Sequence, residues 1–216
     1  MKTLSFSHIK FADLQKVVKI RQSLNDDLFA DWFAYDYAIS HAEMDLLQAL
    51  IAEHRTLMFS YSEDELKMKF LAPLLNAVKF QTDLVRDWYQ RPLKATINHV
   101  TLSGYVDFMV ARGVEEPEWP YFFIQEFKKT HSEQDPKNQV LAEMLVALHL
   151  NQATIMRGAF IFGQHWHFMV LAKDAAGAYE YVVSKTFDSV WLDDLKQIYT
   201  NLQAVKYLFC NDARVA

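Results

Sequence analysis

Three charged side chains within two apolar segments are the first candidates for chemistry in this sequence. Asp107 lies in the run GYVDFMV, while Glu126 and Lys128 lie two residues apart in the run YFFIQEFKK. A charged group in an apolar strand is costly unless it is paired or bound to a metal ion. Side chains alternate along a strand, so Glu126 and Lys128 share one face. If the two strands pair, Asp107 and Glu126 can converge on one cation beside Lys128.

The chemistry that these residue types favour is divalent-metal binding. A hard cation such as Mg²⁺ takes oxygen ligands and keeps several waters, so two carboxylates and a substrate phosphate form a suitable shell. An exposed edge-strand pair is the simpler alternative for Glu126 and Lys128. His165 and His167 also share a strand face. An exposed hairpin explains them better than a metal site does, because no third ligand is evident.

The elements that must position these side chains can be predicted from periodicity and capping residues. A helix begins at Ser62, where Ser62 and Glu65 fit a capping box, and Pro73 bends or breaks it. Asp135 caps a second helix, with Pro136 at its first helical position. The remaining elements are strands around 94–100, 104–112, 121–129, 155–163, 165–173 and 178–185, with a turn at Gly163 and Gln164, and a final amphipathic helix over about 190–207.

Residues 1–60 are predicted to be a helical N-terminal extension ahead of a domain at 61–216. Phe11, Leu14 and Val17 follow the spacing of one helix face, and HAEMDLLQALIAEHR indicates another helix. An aromatic cluster lies between them. A core or a lobe interface is a simpler interpretation of this cluster than a ligand or base-stacking platform. The cluster comprises Leu28, Phe29, Trp32, Phe33 and Tyr35.

Composition sets limits on the class of protein. The 216 residues are 51% hydrophobic and carry a net charge of −5, which indicates a packed globular protein and argues against nucleic-acid binding through bulk charge. A locally basic cleft is compatible with that charge, because metal-site acids add to the negative count. Cys210 is the sole cysteine, which excludes an intramolecular disulfide and suits a reducing compartment. No apolar run suits a signal peptide or a membrane span, so we expect a soluble, cytoplasmic protein.

The arrangement of these residues resembles the PD-(D/E)XK nuclease superfamily, in particular uncharacterised bacterial members with a Q-x-x-x-E helix. Asp107 matches the acid of the motif, Glu126 and Lys128 match its E-x-K on the following strand, and Gln139 matches a glutamine on the next helix. Val106 stands where the motif has its nominal proline, and 126 − 107 = 19 residues separate the two acids. The resemblance covers about residues 62–173. It implies an α/β fold with a restriction-endonuclease-like αβββαβ core, in which helices flank a mixed β-sheet.

The resemblance also implies roles for five residues in a metal-dependent nuclease. Asp107, Glu126 and Glu65 would bind one or two Mg²⁺ or Mn²⁺ ions, with Glu65 supplied by the first core helix. Lys128 would orient or deprotonate a water molecule, or stabilise charge on the phosphate. Gln139 would position Lys128 or the phosphate. The expected substrate is nucleic acid, with DNA favoured over RNA.

Structural alternatives exist for two of these residues, and functional alternatives exist for the chain. Glu65 is explained equally well by its capping box, and Gln139 with Glu143 by a solvated polar stripe on a helix. The chain could be a catalytically inactive nuclease-fold protein that acts as a nucleic-acid-binding or protein-interaction module. It could also be an α/β interaction protein whose aromatic N-terminal helices form a homodimer interface.

Overall fold

The computed structural model describes residues 2–129 and 135–210. In this part of the chain, helices pack on a β-sheet. The strands are β1 (Lys2–Ser5), β2 (Ile20–Gln22), β3 (Val85–Ile97), β4 (Val100–Arg112), β5 (Glu118–Lys128), β6 (Ile155–Phe162), β7 (His165–Lys173), β8 (Tyr179–Val183) and β9 (Phe187–Asp188). The α-helices are α1 (Phe11–Val17), α2 (Ala30–Phe33), α3 (His41–His54), α4 (Glu63–Leu66), α5 (Ala72–Val78), α6 (Pro136–Asn151) and α7 (Leu192–Ala204).

These strands form one mixed sheet. Its order is β1-β4-β5-β6-β7-β8-β2. In addition, β3 pairs with β4, and β9 pairs with β7. The pairs β1 with β4, β5 with β6, and β2 with β8 are parallel, and the remaining pairs are antiparallel. An α/β fold with a mixed sheet flanked by helices is therefore confirmed. Within the described residues, no helix combines the length and apolar character needed to cross a membrane.

Each face of the sheet has its own hydrophobic core. One core joins the sheet to α2, α3, α5 and α7, and the other joins it to α1 and α6. Helix α6 is buried along its whole central length from Val140 to Leu148. A helix that is apolar on all sides is buried on all sides, so the acid within this stretch, Glu143, lies in the protein interior.

The first 60 residues belong to this sheet and its cores. β1 pairs with β4, and β2 pairs with β8, at separate places along the sheet. The prediction of a wholly helical extension is therefore wrong for these two segments. Strands of four and three residues are too short to show alternation in sequence, and pairing with a preformed sheet supplies the stability that they lack.

The aromatic cluster of the N-terminal region lies in the core, so the core interpretation is confirmed. Trp32 is 1% exposed, and its Nε1–H donates to the carbonyl of Asn201 at 2.8 Å. Its ring meets Phe168 edge to face at 5.2 Å between centroids. A dimer interface built from these rings would require them to leave the core of their own chain. The homodimer itself stays a prediction.

β3 and β4 form a long hairpin that begins earlier than the sequence pattern indicated. β3 starts at Val85, and the turn falls at Asn98 and His99, whose φ angles are 47° and 66°. Two consecutive positive φ angles are typical of the tight turns that suit a twisted hairpin. The first half of β3 could not be predicted from sequence because it contains Pro92, and proline is unfavourable inside a sheet. The strand tolerates it because β3 pairs only with β4 among the described strands and is therefore an edge.

The helical segment after Ser62 changes its hydrogen-bonding pattern part of the way along. The predicted capping box is present, with Ser62 Oγ accepting from Glu65 N and the Glu65 carboxylate accepting from Ser62 N. A π turn, Lys67–Leu71, then separates α4 from α5, and the N–H of Ala72 donates to the carbonyl of Lys67. This irregularity falls immediately before Pro73, near the place where a bend or break was predicted.

Glu43 joins the N-terminal helices to α7. Its carboxylate accepts from the hydroxyls of Tyr37 and Tyr199 at 2.7 and 2.8 Å, and from the backbone and side chain of Ser40 at 2.8 and 2.7 Å. Burial works to raise the pKa of Glu43, but these donors outweigh burial and lower the pKa to about 2. The ionised carboxylate therefore stabilises the fold above the ordinary pKa of 4.5, and this stability is lost as the pH falls towards 2.

Glu43→Gln is expected to destabilise the protein at neutral pH by about 2 kcal/mol, the typical loss for a hydrogen bond to a charged group. The difference from wild type is expected to shrink between about pH 5 and pH 2, where the wild-type carboxylate becomes protonated. Urea denaturation across this pH range measures both effects. Glu53→Gln is the control, because the Glu53 side chain lies on the same helix and is 70% exposed. Equal pH dependence of the two variants would contradict the role of Glu43.

Candidate functional site

Asp107 lies where two neighbouring strands part. The last pair between β4 and β5 is Phe108 with Gln125, beyond which β5 continues against β6 as far as Lys128. The separation leaves the backbone N–H of Phe127 without a carbonyl acceptor on β4, and Asp107 Oδ2 accepts from it at 3.1 Å. The Asp107 side chain is 14% exposed. It is therefore held in the gap between the strands.

Glu126 lies on β5 just beyond this gap and is almost wholly buried. The residue is 1% exposed, and its Oε1 accepts from Lys128 Nζ at 3.0 Å. Burial raises the pKa of Glu126 above its ordinary value, the Asp107 carboxylate adds to the rise, and Lys128 offsets part of it. Because Glu126 is buried, the alternative of an exposed edge-strand pair is wrong.

Lys128 provides positive charge next to these carboxylates. Burial works to lower the pKa of Lys128, but the charges of Glu126 and Asp107 outweigh it, and the pKa lies above its ordinary value. Lys128 therefore remains an ammonium ion at neutral pH. The structure brings Asp107, Glu126 and Lys128 into one electrostatically coupled group.

Helix α6 adds two buried polar residues to this group. Gln139 and Glu143 are 6% and 0% exposed, and Gln139 Nε2 donates to Glu143 Oε1 at 3.3 Å. Burial raises the pKa of Glu143, and the Glu126 carboxylate raises it further. The alternative of a solvated polar stripe is therefore wrong. Glu143 was not among the predicted site residues, although an acid within the run VLAEMLVAL is the same kind of signal that identified Asp107.

Three further residues lie at the site that were not among the predicted catalytic or metal-binding residues. Lys67 Nζ lies 3.2 Å from Asp107 Oδ1 and 3.0 Å from Glu63 Oε1. Gln90 Nε2 donates to the same oxygen of Asp107. Gln90 has a φ angle of 50° and lies at an irregularity in the pairing of β3 with β4. Neither that irregularity nor the helix face that meets the sheet can be identified from residue types alone.

Glu65 is a correction to the predicted site. Its Oε2 accepts from the backbone of Ser62 at 2.9 Å, and its Oε1 accepts from Lys69 Nζ at 3.1 Å. Its side chain is 46% exposed. Two residues along a helix correspond to a rotation of about 200°, so Glu63 faces Asp107 through Lys67 while Glu65 faces solvent. The capping interpretation holds for Glu65, and the metal-ligand prediction does not.

Three buried oxygen atoms of this group accept no hydrogen bond from the described residues, namely Glu126 Oε2, Glu143 Oε2 and Gln139 Oε1. A buried oxygen without a donor is costly, and a hard divalent cation is a partner that satisfies such oxygens. These oxygen atoms are therefore of the chemical type that binds Mg²⁺ or Mn²⁺. The described residues nevertheless contain no group of three His, Cys, Asp or Glu side chains arranged to hold one ion.

Glu143→Gln is expected to raise the stability of the protein in the presence of a chelator. The amide removes a carboxylate from a fully buried position and keeps an acceptor for Gln139 Nε2. The expected gain is about 1–3 kcal/mol, because burial and the Glu126 carboxylate raise the pKa of Glu143. Folding at neutral pH must therefore protonate this group or bury its charge, whereas the amide is neutral in both states. Urea denaturation at neutral pH measures it.

Glu65→Gln is the matched control, because it makes the same chemical change at an exposed position. It is expected to lose up to about 1 kcal/mol, since the substitution weakens a capping interaction. A loss of stability in Glu143→Gln as well would show that the buried carboxylate is compensated in the folded protein, and would contradict the cost of burial inferred for Glu143.

Comparison with known proteins adds no family assignment to this geometry. The chain matches no protein-family model, and no curated protein matches its sequence. The chemistry of the site is therefore inferred from its residues, which are neighbouring carboxylates with Lys67 paired to Asp107 and Lys128 paired to Glu126.

Proposed function

We propose that the chain is a metal-dependent nuclease that hydrolyses phosphodiester bonds of nucleic acid, with DNA as the expected substrate. The observation that carries this proposal is that Asp107, Glu126 and Lys128 interact electrostatically at the place where β4 and β5 separate. Acids that are buried beside one another, with an oxygen left without a donor, favour cation binding over a purely structural role.

The order of elements around the site supports the proposal. From α4 to β6 the chain runs through a helix, three antiparallel strands, a helix and a strand parallel to β5. This is the αβββαβ order that the sequence resemblance implies for a restriction-endonuclease-like core. Asp107 and Glu126 lie on the second and third of these strands, and Gln139 lies in the first turn of the second helix.

The residues of this chain can be given roles in phosphodiester hydrolysis. Asp107 and Glu126 would hold the divalent cation. Such an ion supplies polarisation of the scissile phosphate and acidifies a bound water. Lys128 stays charged beside Glu126, so its ammonium group orients the water or stabilises charge on the phosphate, rather than removing a proton. Gln139 acts through Glu143, whose Oε1 it contacts at 3.3 Å, and is therefore a positioning residue.

The alternative of a catalytically inactive nuclease-fold module is favoured by one observation. Lys67 and Lys128 each form an ion pair with one of the predicted metal ligands. A site whose carboxylates are neutralised by its own lysines can be stable without a metal ion. The two candidate functions differ in whether the chain cleaves nucleic acid when a divalent cation is supplied.

Asp107→Asn and Lys128→Met are each expected to reduce metal-dependent cleavage by about 10²-fold or more, the usual loss when an electrostatic or acid–base group is removed. The assay incubates the purified chain with single- and double-stranded DNA and RNA in Mg²⁺ or Mn²⁺, and in chelator. Wild-type cleavage is expected with metal alone, because the carboxylates need a cation to engage a phosphate.

Glu65→Gln is the control for this assay and is expected to retain cleavage, since Glu65 faces solvent. Circular dichroism of each variant confirms that the fold is intact. Undiminished metal-dependent cleavage by Lys128→Met would refute the assignment. Absence of cleavage by the wild type on all four substrates would favour the inactive module.

A further inference from the structure

Two ion pairs of the same type follow one another on the helical segment that contains α4. Glu63 pairs with Lys67 at 3.0 Å, and Glu65 pairs with Lys69 at 3.1 Å, each across four residues. The offset of two residues puts the pairs on opposite sides of the helix. The Lys67 side chain is 26% exposed and that of Lys69 is 48% exposed. One lysine is therefore directed at the candidate site, and its counterpart is directed at solvent.

Lys67 contacts the first candidate metal ligand directly. Its Nζ lies 3.2 Å from Asp107 Oδ1 and 5.5 Å from the centroid of the Phe127 ring. The same Asp107 oxygen accepts from Gln90, and the other oxygen accepts from the Phe127 backbone. Both oxygens of Asp107 are thus occupied by donors of the chain, and one of these donors carries a full positive charge.

We propose that Lys67 is a resident counterion that a divalent cation displaces from Asp107, so that Lys67 sets the metal affinity of the site. The inference rests on the proposed function, which assigns Asp107 and Glu126 as metal ligands. Glu126 is 1% exposed, and its Oε2 has no donor among the described residues. Asp107 Oδ2 already accepts from the Phe127 backbone, so a cation that binds Glu126 Oε2 and Asp107 together would use Oδ1. It would displace the ammonium group that lies 3.2 Å from this oxygen, because the two positive charges repel each other.

Displacement does not remove Lys67 from the site. Glu63 still holds its ammonium group, at 3.0 Å in the present arrangement. Lys67 also begins the π turn, in which its carbonyl accepts from Ala72 N–H, and such turns are frequent at functional sites. The displaced ammonium group therefore stays at the rim of the site, where it can pair with a phosphate. Metal binding thus frees Lys67 from Asp107 and makes it available to the substrate phosphate.

Isothermal titration calorimetry of Mn²⁺ into the intact chain, without nucleic acid, tests this directly. Lys67→Met removes the charge and keeps an apolar stem beside Phe127. The affinity for Mn²⁺ is expected to rise about 5- to 150-fold, the range of a typical coupling between two ligands. Lys67→Gln is a second neutral variant that retains a donor for Asp107, and a smaller rise is expected for it. The melting temperature is expected to increase more with Mn²⁺ in Lys67→Met than in wild type.

Lys69→Met is the matched control and is expected to bind Mn²⁺ as the wild type does. Unchanged or weaker Mn²⁺ binding by both neutral variants of Lys67 overturns the counterion proposal. Asp107→Asn separates that result from a failure of the proposed function. If Asp107→Asn abolishes binding, the metal site stands and only the role of Lys67 is refuted. If Asp107→Asn leaves binding unchanged, the metal site is wrong, and the counterion proposal fails with it.

Discussion

The burial of carboxylates beside one another, where β4 and β5 part, is the constraint on which the rest of the structure depends. Glu126 and Glu143 are 1% and 0% exposed; burial raises the pKa of both, and the Asp107 carboxylate adds to the rise. Like charges repel more strongly at low dielectric than in water, so this arrangement requires nearby positive charge. Lys128 supplies it to Glu126, and Lys67 supplies it to Asp107. A cluster of this kind persists only where the surrounding fold is stable enough to hold it.

The two cores provide that stability, and a helical segment from each core brings one charged side chain to the site. Helix α6 packs in one core and carries Glu143, while the helical segment with the π turn packs in the other and carries Lys67. The sheet lies between them, and it opens at Asp107. A carboxylate from one layer and an ammonium group from the other can therefore both act on the gap. A continuous sheet would have kept the two groups apart. The site depends on the strands separating at this point.

The part of the site that could be predicted from sequence consists of charged residues in apolar strands. Asp107, Glu126 and Lys128 were identifiable because their neighbours are hydrophobic. The resemblance assigns Glu65 to the site, whereas Glu63 is the acid that faces it, because the rotation of a helix relative to a sheet depends on tertiary packing. The same limit applies to the fold. The order of elements after residue 62 followed from periodicity, but β1 and β2 are too short to show any, and their pairing is decided by the edges of the sheet.

The overall charge of −5 is consistent with the proposed chemistry when the site is considered by itself. Glu63, Asp107, Glu126 and Glu143 surround the gap, and Lys67 and Lys128 do not balance them if all are ionised. A phosphate approaching this site would then meet net negative charge. The raised pKa values of Glu126 and Glu143 relieve this by favouring protonation, and a divalent cation relieves it by replacing those protons. Both routes bring the sum of these charges to zero, but the second places two positive charges on one ion that a phosphate oxygen can contact directly. The proposed affinity for nucleic acid at this site therefore depends on metal binding and not on the charge of the protein surface.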